Sequence, residues 1–405
     1  MPTQNNEDRD NISLVVAGKV RTNWSRYSVD SDFLKAADGW QLSLGLPDKA
    51  FPADIVRGAP VQLQVGGETI LSGRIDAVRR LVSRQDYSLS LSGRDDAGIL
   101  VDCAAPVFSA NQLTLDEVIE KIVRPLGVRN IRVQASSAPR NDKVTIEPGS
   151  RAWDALEKAA AGRGLWPWFE PDGTLVVGGP DYASDPVATL VLKYDGTGNN
   201  VLSLEDNRSI EGCFSELAVL AQGHARRADS KKTKPVDVWN SDGSVNFQAE
   251  SEKPDAQTGT HNMKTIVTDP TVPYYRPNII TVSDTNDQQQ LDYRAKKAMS
   301  DARLSGLDIS AEVAGHRTAD GVLWKPGQRV RIISEPHGID AVFFLMGRQF
   351  LGGRSGSTTQ LRFKEDGVWI PDAFPAEEKR RNRRGKKKKE VRIIEIEAPK
   401  NVAKG

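Results

Sequence analysis

Period-two alternation of apolar and polar residues dominates the first hundred positions. In VQLQV (61–65) Val61, Leu63 and Val65 fall on one face, and Gln62 and Gln64 on the other. YSLSLSG (87–93) repeats the pattern with Leu89 and Leu91. Such alternation between glycine-rich turns predicts half-buried antiparallel strands, as in a small barrel or sandwich.

Past residue 100 the period changes. TLDEVIEKIVRPLG (114–127) carries a capping box, Thr114 with Glu117 three residues on. Its apolar stripe is Val118, Ile119, Ile122 and Val123, and Pro125 with Gly127 ends it. SRAWDALEKAAAGRG (150–164) predicts a second helix with Ser150 as N-cap and Trp153, Leu156 and Ala160 turned inward. LWPWFEPDGTLVVGG follows as a hairpin about Asp172-Gly173. Strand patterns return with VATLVLKY and FSELAVLAQG (214–223), while residues 225–262 are polar and predict a long exposed loop. NIITVSD (278–284) leads into a helix over about 284–304, striped by Leu291, Ala295, Ala298, Met299 and Ala302. Alternation resumes at 307–315 and runs to TTQLRFK.

One short β-pattern occurs twice. GAPVQLQVGGETILSGRI (58–75) and GQRVRIISEPHGIDAVFFLMGRQF (327–350) both open with Gly-x-x-Val-x-Leu/Ile. Each crosses a glycine-containing turn and resumes as an apolar strand containing Gly-Arg. Coincidence between two barrel-forming stretches explains this, and so does internal duplication. Duplication has a geometric consequence, since three copies of such a chain would set six similar modules around one axis and could mate with a hexamer and a trimer.

With those residues in view, the chain resembles the central baseplate hub proteins of contractile-tailed phages, of the Mu-like and late-control D-like kind. The likeness is carried by FPADIVRGAPVQLQVGGETILSGRIDAV with LSLSGRDDAGILVDC, by RAWDALEKAAAGRGLWPWFEPDGTLVVG, and by the stretch 323–363, and spans roughly residues 12–370 in order. It implies a mainly β protein with α+β insertions. Two similar small, tube-type β-barrel domains would be joined by α/β inserts. Residues 1–100 would form the first barrel, 101–180 an α/β insert, and 181–224 the start of the second barrel. An α/β excursion would cover 225–305, completion of the second barrel 306–370, and a basic tail 371–405. The resemblance further implies a homotrimer, located in the virion tail after assembly in the host cytoplasm. It would adapt the hexameric tail tube to the trimeric spike and touch other baseplate proteins, with DNA passing transiently through the lumen.

Composition narrows the rivals. Lys+Arg (55) and Asp+Glu (54) give a net charge of +1, so no whole-surface attraction to nucleic acid or anionic lipid is expected. The longest apolar run, AVFFLM, is far short of the ~20 residues of a membrane span, and stable membrane insertion is not expected. The polar, acidic start is unlike a signal peptide. At 405 residues, two to four domains are expected. Cys103 and Cys213 show no partner motif and are expected as small buried groups.

A catalytic reading, as a tail-associated cell-wall hydrolase, finds no marked residues. His224, His261, His316 and His337 lack any ligand spacing and are expected in turns or at the surface. No nucleophile elbow or Cys/His constellation appears, and no cofactor or metal is expected. DGTGNN (195–200) and GGRSGSTT (352–359) lack a Walker lysine and are expected as hairpin turns. Asp95 and Asp96, adjacent in a strand, point to opposite faces; they are expected to begin a turn and pair with Arg94 or a neighbouring subunit. The strongest charge feature is the run Lys379, Arg380, Arg381, Arg383, Arg384, Lys386, Lys387, Lys388 and Lys389. It is a candidate partner-binding arm or solvated linker, with phosphate contact as a nucleic-acid-binding alternative. VRIIEIEAP beyond it suits one further strand. Most of the eight tryptophans suit core packing, whereas Trp166 and Trp168 share one face of an extended segment and are candidate interface anchors.

Overall fold

The computed structural model describes residues 10–46, 50–84, 86–111, 113–134, 143–161, 164–221, 263–282, 288–354, 356–368 and 392–395. The alternating amino-terminal stretch forms β1 (Ile12–Val16), β2 (Lys19–Arg21), β3 (Arg26–Asp32), β4 (Gly39–Gly45), β5 (Pro60–Val65), β6 (Glu68–Val82) and β7 (Tyr87–Asp95). Five short strands follow: β8 (Ser109–Asn111), β9 (Ile131–Val133), β10 (Lys143–Thr145), β11 (Trp166–Phe169) and β12 (Leu175–Gly178). The rest are β13 (Ala188–Leu192), β14 (Ser203–Arg208), β15 (Glu216–Ala221), β16 (Met263–Thr268), β17 (Pro277–Val282), β18 (Leu307–Ala314), β19 (Arg329–Ser334), β20 (Ile339–Gly353), β21 (Gly356–Glu365) and β22 (Arg392–Glu395).

Thirteen strands join one sheet, and its two halves repeat an order. One half reads β3-β4-β7-β6-β5-β1, with β2 beyond; the other reads β14-β18-β21-β20-β19-β13. Five strands of each half match in order and direction of pairing. The sixth differs: β1 lies antiparallel to β5, whereas β13 lies parallel to β19. A bulge interrupts β6 between Ile75 and Ala77, and another interrupts β20 between Leu345 and Gly347. A bulge bends its strand and lets the two ends serve different neighbours. The first part of β20 pairs with β19, and the part after the bulge pairs with β3, joining the halves.

Two details refine the expectations. Among the described residues both sets of strands belong to one sheet, whose main path ends at β14 and β2 while β19 and β13 branch from β20, and neither set closes on itself within the chain. The two Gly-Arg pairs also occupy different places, because Gly73 precedes its bulge and faces Asp95, whereas Gly347 follows its bulge and faces Arg362.

The sheet's inner face is mainly apolar: Leu14, Val29, Leu42, Leu63, Leu89, Ile309, Val330, Ile332, Phe350, Leu361 and Phe363 are each fully buried. The insert builds its own core from Leu100, Val118, Ile119, Ile122, Leu156, Ala160 and Val177, and this core continues onto Phe344 and Met346 of β20. Its helix Leu115–Val123 starts with the expected reciprocal cap. Glu117 N–H donates to Thr114 Oγ1 at 3.2 Å, and Thr114 N–H to Glu117 Oε2 at 2.8 Å. The next helix begins at Ala152, so Arg151, which bridges to Ala104, takes the capping position expected of Ser150. The hairpin of β11 and β12 turns at Gly173 as expected, with φ of 83°.

β15, expected with the second half of the large sheet, lies instead in a separate sheet of order β17-β15-β16-β22. Strand alternation alone does not choose a partner, and here the choice falls to the helix Gln288–Ser305. Its Leu291, Ala295 and Met299 pack on Leu217, Val219 and Val267. β22 extends this sheet as a parallel edge. The nine cationic residues 379–389, the 225–262 stretch, His224, His261, Trp239 and Trp369 lie outside the described residues. Among the described residues no helix is long and apolar enough to cross a membrane.

Candidate functional site

The join between the halves concentrates the polar contacts that the core lacks. β20 and β3 run antiparallel from Gly347 opposite Asp32 to Gly353 opposite Arg26. Glycine at 352 allows the approach, since a Cβ there would lie 2.6 Å from Tyr27 Cζ. Around this seam, side chains far apart in sequence are tied together. His316 is fully buried, with Nε2 2.8 Å from Tyr27 Oη and Nδ1 3.0 Å from Thr359 Oγ1. Its ring stands 4.3 Å from that of Phe350. Arg362 donates to Asp30 at 2.6 Å and to Asp32 at 2.9 Å. Arg348 donates to Val29 O at 3.0 Å and lies 3.9 Å over the Phe350 ring. Gln349 reaches Ser28 Oγ at 2.9 Å on the opposite, polar face.

Burial sets the charge states. Desolvation, with help from Arg348, pushes the His316 pKa down to about 3, so the imidazole is neutral in the fold. The expectation of a surface or turn histidine fails for His316. It holds for His337, which bonds Ser334 Oγ at 2.7 Å within a turn. Desolvation also lifts Tyr27 to about 12 and lowers Arg348 to about 10. Burial would raise Asp30, but hydrogen bonds from Lys35 and Arg362 hold it below the usual carboxylate range.

The carboxylates need a correction. Asp95 and Asp96 do not pair with Arg94, whose guanidinium instead grips Asp102 at 2.6 and 2.9 Å and Asp76 at 2.6 Å. The neighbour of Asp95 is Asp38, brought there by the pairing of β4 with β7: Asp95 N–H donates to Asp38 O at 3.0 Å. Desolvation pushes Asp38 up to about 6, and desolvation with the charge of Asp38 drives Asp95 well above the usual range. They border a cavity of about 70 Å³ with Ser72, Trp168, Pro171 and Arg348. That space suits water, against ~300 Å³ or more for a small-molecule pocket. No group of three or more His, Cys, Asp or Glu placed to hold a metal occurs among the described residues.

Trp166 and Trp168 share one face, as expected, and both are half-buried within the chain. Trp168 meets Phe33 edge-on at 5.3 Å and donates to Glu170 at 3.3 Å; Lys297 lies 4.4 Å over Trp166. Sequence reasoning did not find the seam residues Tyr27, Asp30, Asp32, His316 and Arg362. Four of them sit in strands, β3 and β21, but nothing local marks their partners.

The outer face of the sheet is polar. Ser28, Gln41, Ser43, Ser90 and Gln349 lie along it, with Ser43 and Ser90 hydroxyls 3.2 Å apart. An open groove of about 420 Å³ at one end of the seam is lined by Arg26, Ser28, Gln41, Ser43 and Thr358 among others.

Comparison with known proteins adds a second line of observation. Four family models match in succession: the amino-terminal domain of Mu phage baseplate assembly protein GpP-like chains over 11–95, and the second domain of baseplate hub protein gp44-like chains over 97–179. The third domain of NMB1110-like tail proteins matches 241–299, and their carboxy-terminal domain matches 301–368. The chain is similar to baseplate hub protein gp44 of Escherichia phage Mu, 26% identical over 383 residues and covering 92% of each chain. It is similar in structure to a tail protein from Neisseria meningitidis MC58, with 38% identity and a TM-score of 0.74, over 90% of this chain and 99% of that one. A 43 kDa tail protein of prophage MuSo2 from Shewanella oneidensis shares the fold, with 21% identity, a TM-score of 0.71, and coverage of 88% and 99%.

Proposed function

This chain belongs to the phage tail protein family that includes Mu-like baseplate hubs, and from that premise we propose that it is the threefold hub of a contractile tail. Membership makes it a baseplate component of the virion. The finer reading is that three copies form a ring that adapts a hexameric tail tube to a trimeric spike. Assembly in the host cytoplasm and contacts with other baseplate proteins belong to the same reading. The observation that carries it is the strand order occurring twice in one sheet, edge to edge, with matching bulges. Two like modules per chain give three copies six like modules around an axis, which is what a threefold-to-sixfold adaptor requires. In that ring each half would complete a tube-type barrel.

The two faces of the sheet support the same arrangement. The apolar face is covered by the core, while the face bearing Ser28, Gln41, Ser43, Ser90 and Gln349 is polar, and its Arg362 is neutralised by Asp30 and Asp32. Such a surface suits a water-filled channel that lets DNA pass without holding it, since lasting phosphate contact needs cationic side chains. The role is mechanical: the buried, neutral His316 and the Arg362 ion pairs stiffen the junction that force would cross.

The test is the mass of the purified full-length chain by light scattering across concentration, followed by imaging. A trimer with a central hole is the expected result. A compact chain that remains single inside an assembled tail particle overturns the reading.

A further inference from the structure

Among the sheet's unpaired edges in the described residues, those of β6 and β14 have counterparts at the seam, which shows what each would accept. By strand order β6 is the counterpart of β20, and β14 the counterpart of β3. Within the chain, β20 beyond its bulge pairs with β3. β6 beyond its bulge pairs with β7 on one side, and no strand among the described residues lies on its other side; β14 ends the sheet. We propose that residues 77–82 of β6 pair antiparallel with β14 of a second copy of this chain, reproducing the seam between subunits. This rests on the threefold reading above and gives it its contact.

The register follows from the pairings. Aligning the bulges sets Ala77 with Gly347, and so Arg80 with Phe350. Trp40 faces Gly93 as Ile309 faces Phe363, and these make Trp40 the counterpart of Ile309. Val29 faces Trp40 and Asp206 faces Ile309, so Asp206 takes the place of Val29. Phe350 faces Val29 in the seam; between subunits Arg80 therefore faces Asp206. The same register sets Val82 opposite Leu204, Leu81 opposite Glu205 and Arg79 opposite Asn207.

Side-chain character agrees independently of that register. The β6 edge carries Arg79 and Arg80, and β14 carries Glu205 and Asp206. Leu81 and Val82 are 44% and 55% exposed, and Leu202 and Ile210, flanking β14, are 60% and 42% exposed. Open strand edges bearing exposed apolar residues invite another strand. In the single chain both charges make provisional contacts: Arg80 donates to Ile55 O at 3.0 Å, and Asp206 is held by Arg208 at 3.0 Å.

The experiment combines Arg79→Cys with Asn207→Cys in the full-length chain, oxidises it, and reads covalent size alongside light-scattering mass. Directly opposite positions put Cβ atoms within disulfide reach. The single variants, which keep Cys103 and Cys213, report the background, and Arg79→Cys with Ser203→Cys is the out-of-register control. A covalent trimer from the first pair alone is expected. A trimeric mass without the 79–207 bond overturns the pairing and leaves the threefold reading standing. Bonds running into ladders beyond three copies support the pairing and overturn the threefold reading. A monomer without the bond at every concentration overturns the pairing. Charge adds a further arm: Arg80→Glu should raise the concentration of half-assembly on the order of tenfold, and Asp206→Arg in the same chain should restore it. Failure of that rescue overturns the register.

Discussion

Replacing His316 by glutamine separates the seam's hydrogen bonding from its protonation. The imidazole is fully buried, bonded through both nitrogens to Tyr27 and Thr359, and its pKa is pushed down to about 3 from an ordinary 6.5. Between those values the unfolded chain holds a proton that the folded chain does not, so folding stability falls as pH falls through that window. The loss grows by about 1.4 kcal/mol per pH unit and reaches roughly 2 to 3 kcal/mol near pH 4.5. Glutamine stays uncharged over this range but does not reproduce both bonds, a cost of about 1 to 3 kcal/mol that does not vary with pH. Wild type is therefore expected to be the more stable near pH 7.5, with its advantage closing by about pH 4.5. Other titrating groups largely cancel in the difference. Urea unfolding of both proteins across this range measures it, followed by fluorescence of Trp24, Trp40 and Trp324, which are buried in the same core. Parallel stability curves for the two proteins would refute a neutral, buried His316.

Three further outcomes follow from the same geometry. Asp38, raised by burial to about 6, contributes stability at low pH that is lost as pH climbs from about 4 to about 6. Asp38→Asn should accordingly gain on wild type as pH rises through that window, read from the same unfolding curves. Gly93→Ala would place a Cβ 2.6 Å from Trp40 Cζ2 and against the Arg74 carbonyl; a loss of about 3 kcal/mol or failure to fold is expected, seen in thermal midpoint and soluble yield. Thr114→Ala removes the side-chain bond of the capping box, from Glu117 N–H to Thr114 Oγ1, and should cost about 1 kcal/mol, measured as a lower urea midpoint with no change in assembly.

Much of this protein was settled locally. Alternation in VQLQV and YSLSLSG determined that those stretches are strands and which face is buried, because successive side chains on an extended backbone must point to opposite sides. Thr114 and Glu117 determined a helix start for an equally local reason: their reciprocal bonds span three residues. The repeated Gly-x-x-Val pattern marked equivalent strands, Val61 in β5 and Val330 in β19. Partnership was decided only in three dimensions. Tyr27 and His316 are 289 positions apart, and no periodicity relates them until β20 crosses to β3. The same holds for Asp38 beside Asp95, for β15 joining the smaller sheet, and for the open edges of β6 and β14. A strand's own sequence prescribes its faces, but its hydrogen-bonding edges are backbone and alike in every residue. Which edge meets which is therefore left to the packing of the whole chain.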